Sequence, residues 1–275
     1  MGKAFRLARN LFLALFLATA ASSFPFRPAA ALAETLRGTV VTVVDGDTVE
    51  VALDGGRTET VRYLLVDTPE THHPRRGVEE FGLEAALANR ALVLGKKVRL
   101  ETDVQKRDRY GRLLAIVWID LPEGSFMVNE RLVEEGFALP LTLPPNVRLA
   151  DRIHAALLRA RSGEKGFWGA AAGRLFTGRQ VWADLPLLAG AFITLDMRVD
   201  GIRHSKTRWS LSEKGSHTTL VLAGEPEGAF GSIPSLEGTR IRVVGKVQAS
   251  FRGAEILVDD PAQILSVTRE PALIH

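Results

Sequence analysis

Apolar and polar positions fall into short, regularly interrupted runs from Gly38 onward. Thr39 to Val44 is β-rich and ends in Asp45-Gly46-Asp47-Thr48, a strong turn signal. Val49 to Leu53 alternates as a second strand, Asp54-Gly55-Gly56 turns the chain, and Thr58 to Val66 makes a third. Glu79 to Leu94, rich in Ala and Leu and closed by Gly95, reads as a helix. Lys97 to Glu101 and Leu113 to Ile119 are two further strands. Val128 to Glu135 and Leu149 to Arg161 are predicted helices, the second with Leu149, Ile153, Ala156 and Leu157 on one face. Phe167-Trp168 is expected to dock the end of this region. Five strands with a helix between the third and fourth predict a Greek-key β-barrel, an OB-fold, with three helices in an α+β arrangement.

From about Val181 a second, smaller, mainly β region is expected. Its predicted strands are Phe192–Val199, Thr218–Leu222, Thr239–Val247 and Glu255–Val258, with Gly245 and Gly253 in turns or bulges. Its final strands weakly resemble those of another OB-type barrel. No carboxylate–arginine set like that of the first region is evident there. The expected division is residues 34–172 and residues 173–275.

The first 33 residues differ from both. Lys3, Arg6 and Arg9 precede the apolar run Leu11 to Ala21, and Ala31-Leu32-Ala33 before Glu34 has the small-x-small form of a cleavage site. The run falls short of the roughly 20 residues that cross a bilayer. A cleavable signal peptide is expected, with an uncleaved anchor as the alternative. The cleaved product would be secreted or periplasmic and would have no stable membrane span. This leader holds four of the 35 basic residues and none of the 32 acidic ones, so the remainder is nearly neutral. Overall charge therefore gives no argument for nucleic-acid binding, and local clusters must make that case. The absence of Cys excludes disulfides and thiolate metal sites.

The chemistry concentrates in Arg62-Tyr63-Leu64-Leu65-Val66-Asp67-Thr68-Pro69-Glu70. A cation heads an apolar run, and two carboxylates follow on a proline-stiffened turn. By strand parity Arg62 and Asp67 face opposite sides, so they cooperate only if the strand ends or twists before Asp67, which Pro69 favours. Asp45, Asp47, Asp108 and Arg112 complete the charged set, and Lys106 to Arg112 is the densest basic cluster. Phosphodiester hydrolysis needs a cation, an activated water and stabilised charge at phosphorus. Asp47, Asp67 and the Thr68 carbonyl are oxygen donors suited to Ca²⁺. Arg62 and Arg112 are forks suited to phosphate oxygens, and Glu70 is a candidate general base. His72 and His73 have no zinc-like spacing and read as surface residues.

Val44-Asp45-Gly46-Asp47-Thr48-Val49, the block from Arg62 to Thr71, and Asp108-x-Tyr110-Gly111-Arg112 resemble the three signature blocks of the thermonuclease (staphylococcal nuclease-like) family. Gly77-Val78-Glu79, Met127 to Gly136 and Trp168 extend the resemblance over about residues 38–168. It implies an OB-fold, Ca²⁺-dependent nuclease that cuts 5′ P–O bonds in DNA and RNA and leaves 3′-phosphates. By position, Asp47, Asp67 and the Thr68 carbonyl would hold calcium, with Asp45 acting through water and Asp108 supporting from outside the ligand set. Glu70 would be the base, Arg62 and Arg112 would bind the phosphate, and Arg109 and Tyr110 would contact a neighbouring phosphate. One departure stands out: where the family places base-stacking tyrosines, this chain has Ala138-Leu139-Pro140-Leu141-Thr142-Leu143-Pro144-Pro145. The competing reading is an OB module that binds single strands without cutting. The intact Arg62, Glu70 and Arg112 argue against it.

Overall fold

The computed structural model describes residues 34–71, 78–205, 208–223, 230 and 233–269. The expected signal peptide, His72, His73 and Gly77 lie outside the described residues.

Strands β1 (Thr35–Val43), β2 (Thr48–Leu53) and β3 (Thr58–Tyr63) form the expected antiparallel meander. The third strand then breaks, and a short β4 (Leu65–Asp67) leads to helix α1 (Gly82–Val93). Strands β5 (Lys97–Glu101), β6 (Leu113–Leu121) and β7 (Gly124–Met127) follow, then α2 (Val128–Glu134), β8 (Leu139–Leu141), α3 (Ala150–Ser162) and α4 (Phe167–Ala172). The sheet order is β3-β2-β1-β5-β6-β7, and parallel pairing of β3 with β6 closes a five-stranded barrel. This is the OB-fold expected from the sequence, with α1 between its third and fourth barrel strands. Alternation decides which residues fill it: Val49, Val51, Val61, Leu100, Ala115 and Val117 are fully buried.

The C-terminal region is β-rich, as expected, but begins differently. After β9 (Leu175–Thr177) come two short helices, α5 (Gly178–Ala183) and α6 (Leu185–Leu188), so Val181 is helical. Thr177 and Gln180 form a capping box that starts α5. Then follow β10 (Phe192–Arg198), β11 (Gly201–Ser205), β12 (Arg208–Ser212), β13 (Thr218–Ala223), β14 (Thr239–Ser250), β15 (Gly253–Val258) and β16 (Ile264–Arg269). The order is β11-β12-β13-β15-β14-β10-β9, with β16 on β14. Gly253 opens β15 at a positive φ as expected, but Gly245 lies mid-strand. A Cβ there would sit 2.5 Å from the Ile256 side chain, so close approach rather than a turn demands glycine.

The described residues fall within one compact unit. Phe167 stacks on Phe192 at 4.4 Å between centroids, and Phe192, Val244 and Ala262 join the core that contains the barrel. No helix among the described residues is long and apolar enough to cross a membrane.

Candidate active site

The break in the third strand makes the site. Barrel strand β3 stops at Tyr63, and Leu65 takes φ 66°, a left-handed conformation costly for a bulky residue. Its neighbours enforce the turn. The Leu64 N–H donates to the Ala115 carbonyl at 2.9 Å, buried Asn129 donates to the Leu64 carbonyl at 2.8 Å, and Leu65 pairs with Leu141 in β8. The kink resets strand parity, and Arg62 and Asp67 meet on the same side. The reversal comes before Asp67, as parity requires, but at Leu64–Leu65 rather than at Pro69, the residue that favours a strand end there.

Arg62 is the hub. One of its Nη atoms lies 2.6 Å from Asp67 Oδ1 and the other 3.1 Å from Asp47 Oδ2. It also donates to the Tyr63 and Val66 carbonyls at 2.9 and 2.8 Å. Asp47 is presented by the Asp45-Gly46-Asp47 turn, in which the Asp47 N–H donates to Asp45 Oδ1 at 3.0 Å. Gly46 is required there, because a Cβ would fall 2.6 Å from Thr68 Oγ1. Thr68 in turn gives its N–H and its hydroxyl to Asp47 Oδ2 at 2.9 and 3.0 Å. Burial pushes the Asp47 carboxyl up to about 7; Arg62 opposes the rise, and Asp45 and Asp67 add to it. Asp47 is thus a buried carboxyl whose burial Arg62 offsets only in part. Carboxylates at Asp47 and Asp67, together with the Thr68 carbonyl, are hard oxygen donors, so the residues present fit a hard divalent cation. No group of three or more His, Asp or Glu that could hold a metal occurs among the described residues, so part of any ion's coordination would fall to carbonyl, water or substrate oxygen.

Arg112 arrives from the loop between β5 and β6. Asp108 accepts from Arg112 Nε at 2.7 Å and from the Arg112 backbone at 3.0 Å. Burial works against the charge on Asp108, but Arg112 and the Tyr110 N–H hold its carboxyl below the usual range. Arg112 and Arg62 line one cavity of about 230 Å³ with Asp108, Gln105, Leu141 and Leu143. Tyr110 is exposed, with Arg109 at 4.8 Å and Arg112 at 5.5 Å from its ring centroid. Glu70 is exposed and lines a second cavity of about 180 Å³ with Asp67, Thr68, Leu141, Lys246 and Asp259. Leu141 borders both cavities, on the aliphatic and proline-rich segment 138–145.

The structure thus brings Asp45, Asp47, Arg62, Asp67 and Thr68 into direct contact, pairs Asp108 with Arg112 on Arg62's cavity, and sets Glu70 beside Asp67. Several supports had no clear signal in the sequence. Asn89, a lone amide in the Ala/Leu-rich helix α1, holds the Asp45 carbonyl at 3.0 Å and the Tyr63 hydroxyl at 2.9 Å. The C-terminal region has an ion cluster of a different kind, in which the single buried carboxylate of Asp196 lies within 2.7 Å of both Arg240 and Arg242.

Residues 60–170 match the staphylococcal nuclease homologue family. The thermonuclease of Staphylococcus hyicus is 41% identical over 129 residues, spanning 47% of this chain and 73% of its own length. This chain belongs to the staphylococcal nuclease homologue family. The thermonuclease of Staphylococcus intermedius is 37% identical over 126 residues, 46% of this chain and 72% of its own length. Endonuclease YncB of Bacillus subtilis (strain 168) is 40% identical over 127 residues, 46% of this chain and 58% of its own length. The family member described here is a nuclease, a hydrolase of phosphodiester bonds. The family match stops at residue 170, so the C-terminal sheet of this nuclease lies beyond it.

Proposed function

We propose that the chain is an exported, calcium-dependent nuclease that hydrolyses DNA and RNA by breaking the 5′ P–O bond and leaving a 3′-phosphate. The observation that supports this most is the convergence of Asp47 and Asp67 on Arg62, whose cavity also receives Arg112. Asp47, Asp67 and the Thr68 carbonyl would hold the ion, with Asp45 acting through water. Bound calcium would supply positive charge to the phosphodiester and acidify a nearby water.

Glu70 takes the proton of the attacking water, which its exposed place beside Asp67 permits. The water oxygen bonds to phosphorus as the bond to the 5′ oxygen breaks, and the departing 5′ oxygen takes a proton from solvent to leave as a hydroxyl. Arg62 and Arg112 present planar forks to the phosphate oxygens and neutralise charge that grows there. Asp108 aims Arg112 by holding its Nε and leaving the outer Nη groups for substrate. Arg109 and Tyr110 contact a neighbouring phosphate. The aliphatic Leu141 and Leu143 replace aromatic stacking worth roughly 1–3 kcal/mol per base, so affinity for short substrates is reduced and base preference flattened. The leader Met1–Ala33 exports the chain, and the nuclease domain ends near residue 172.

Digestion of supercoiled plasmid tests this reading. Cutting in millimolar calcium, its loss on chelation and recovery of 3′-phosphate ends are expected. Intact plasmid in calcium, with single strands still bound, would favour the non-catalytic OB module.

A further inference from the structure

The C-terminal sheet forms one wall of the cavity that holds Glu70, through Lys246, Gln248, Leu257 and Asp259. It also grips the segment that fixes Glu70. The Glu70 N–H donates to Glu79 Oε2 at 2.9 Å, and the Glu79 N–H returns a bond to the Glu70 carbonyl at 2.9 Å. Glu79 is 3% exposed, and the same Oε2 accepts from Lys246 Nζ on β14. The neighbouring Glu80 is held from the same side: its carboxylate accepts from Arg174 at 2.6 Å and from the Phe192 N–H at 2.8 Å, and its own N–H donates to Gly190 at 3.2 Å.

We propose that Lys246 is a positioning residue for Glu70, acting through Glu79, so that the sheet beyond the family match is part of the catalytic apparatus. A buried carboxylate keeps a fixed orientation only while its charge is compensated. Lys246 supplies that compensation at the oxygen that holds the Glu70 backbone. Loss of that ammonium removes a contact at the very oxygen that holds the Glu70 N–H, so Glu79 shifts and Glu70 loses its register with the scissile phosphate. Misplacement by about 1 Å is enough to slow chemistry on the order of 10²-fold. The inference rests on the reading of Glu70 as general base.

The test is single-turnover cleavage by the full chain carrying Lys246→Met, Lys246→Arg or Glu79→Gln/Lys246→Met, each also combined with Glu70→Gln. Lys246→Met is expected to lower kcat about 10- to 100-fold with KM within about threefold, to speed amide exchange at Glu70, and to add nothing in the Glu70→Gln background. Lys246→Arg should recover most of the rate. The double change at Glu79 and Lys246 removes both members of the ion pair together, so it should fold, and it should be as slow as Lys246→Met. Full activity in Lys246→Met or in the double variant would overturn the proposal, as would equal losses with and without Glu70. Full activity in Glu70→Gln alone would instead defeat the assignment of the base, and this route with it.

Discussion

Glu70→Gln is expected to lower kcat by about 10²- to 10⁴-fold, the range a positioned general base contributes, while KM and melting temperature stay close to wild type. The side chain is exposed, and the residue's structural bonds run through its backbone N–H and carbonyl to Glu79. Replacing one carboxylate oxygen by an amide keeps the shape and those bonds but removes the basic lone pair. Kinetics of a defined oligonucleotide beside a thermal melt check both halves. A kcat within threefold of wild type would remove Glu70 from the mechanism. A folded variant with a collapsed melting temperature would make its role structural.

Arg62 and Arg112 are expected to separate. Arg112→Ala should lower kcat on the order of 10²- to 10³-fold with little change in stability, because its partner Asp108 is a near neighbour in a half-exposed loop. Arg62→Ala should lose comparable activity and, in addition, about 3 kcal/mol of stability at pH 8, because Asp47 would be left buried beside Asp45 and Asp67 without its counter-ion. Arg62→Lys should rescue neither property well, since one ammonium cannot reach two carboxylates and two carbonyls at once. Melts and single-turnover rates on the three variants decide it. Wild-type stability in Arg62→Ala would mean that the hub is not one.

Much of the barrel was legible because its strands alternate and its turns use Asp-Gly and Gly-Gly. The charged residues that gather around Arg62 stood out because they sit in three dense blocks. The kink that joins them did not, since Leu64-Leu65 contains neither Gly nor Pro and the turn is imposed by Asn129, Ala115 and β8. Strand parity demands a reversal between Arg62 and Asp67, and it falls at Leu64–Leu65 rather than at Pro69. In the C-terminal region the strands Phe192–Arg198 and Thr239–Ser250 were visible as apolar runs. The hairpin of Gly201–Ser205 and Arg208–Ser212 is mostly polar and carries little strand signal, and α5 is too short for its Thr177–Gln180 capping box to stand out. Asp196 with Arg242 and Glu79 with Lys246 become partners only through strand register and tertiary packing, 46 and 167 residues apart. No local pattern encodes such pairs.

The central claim is that Asp47 and Asp67 together capture one divalent ion beside Arg62. Calorimetric titration of calcium into the chain and its Asp47→Asn/Asp67→Asn variant tests it directly. One ion per wild-type chain, and none at the same concentrations in the variant, is the predicted result. Equal stoichiometry and affinity in both would contradict it.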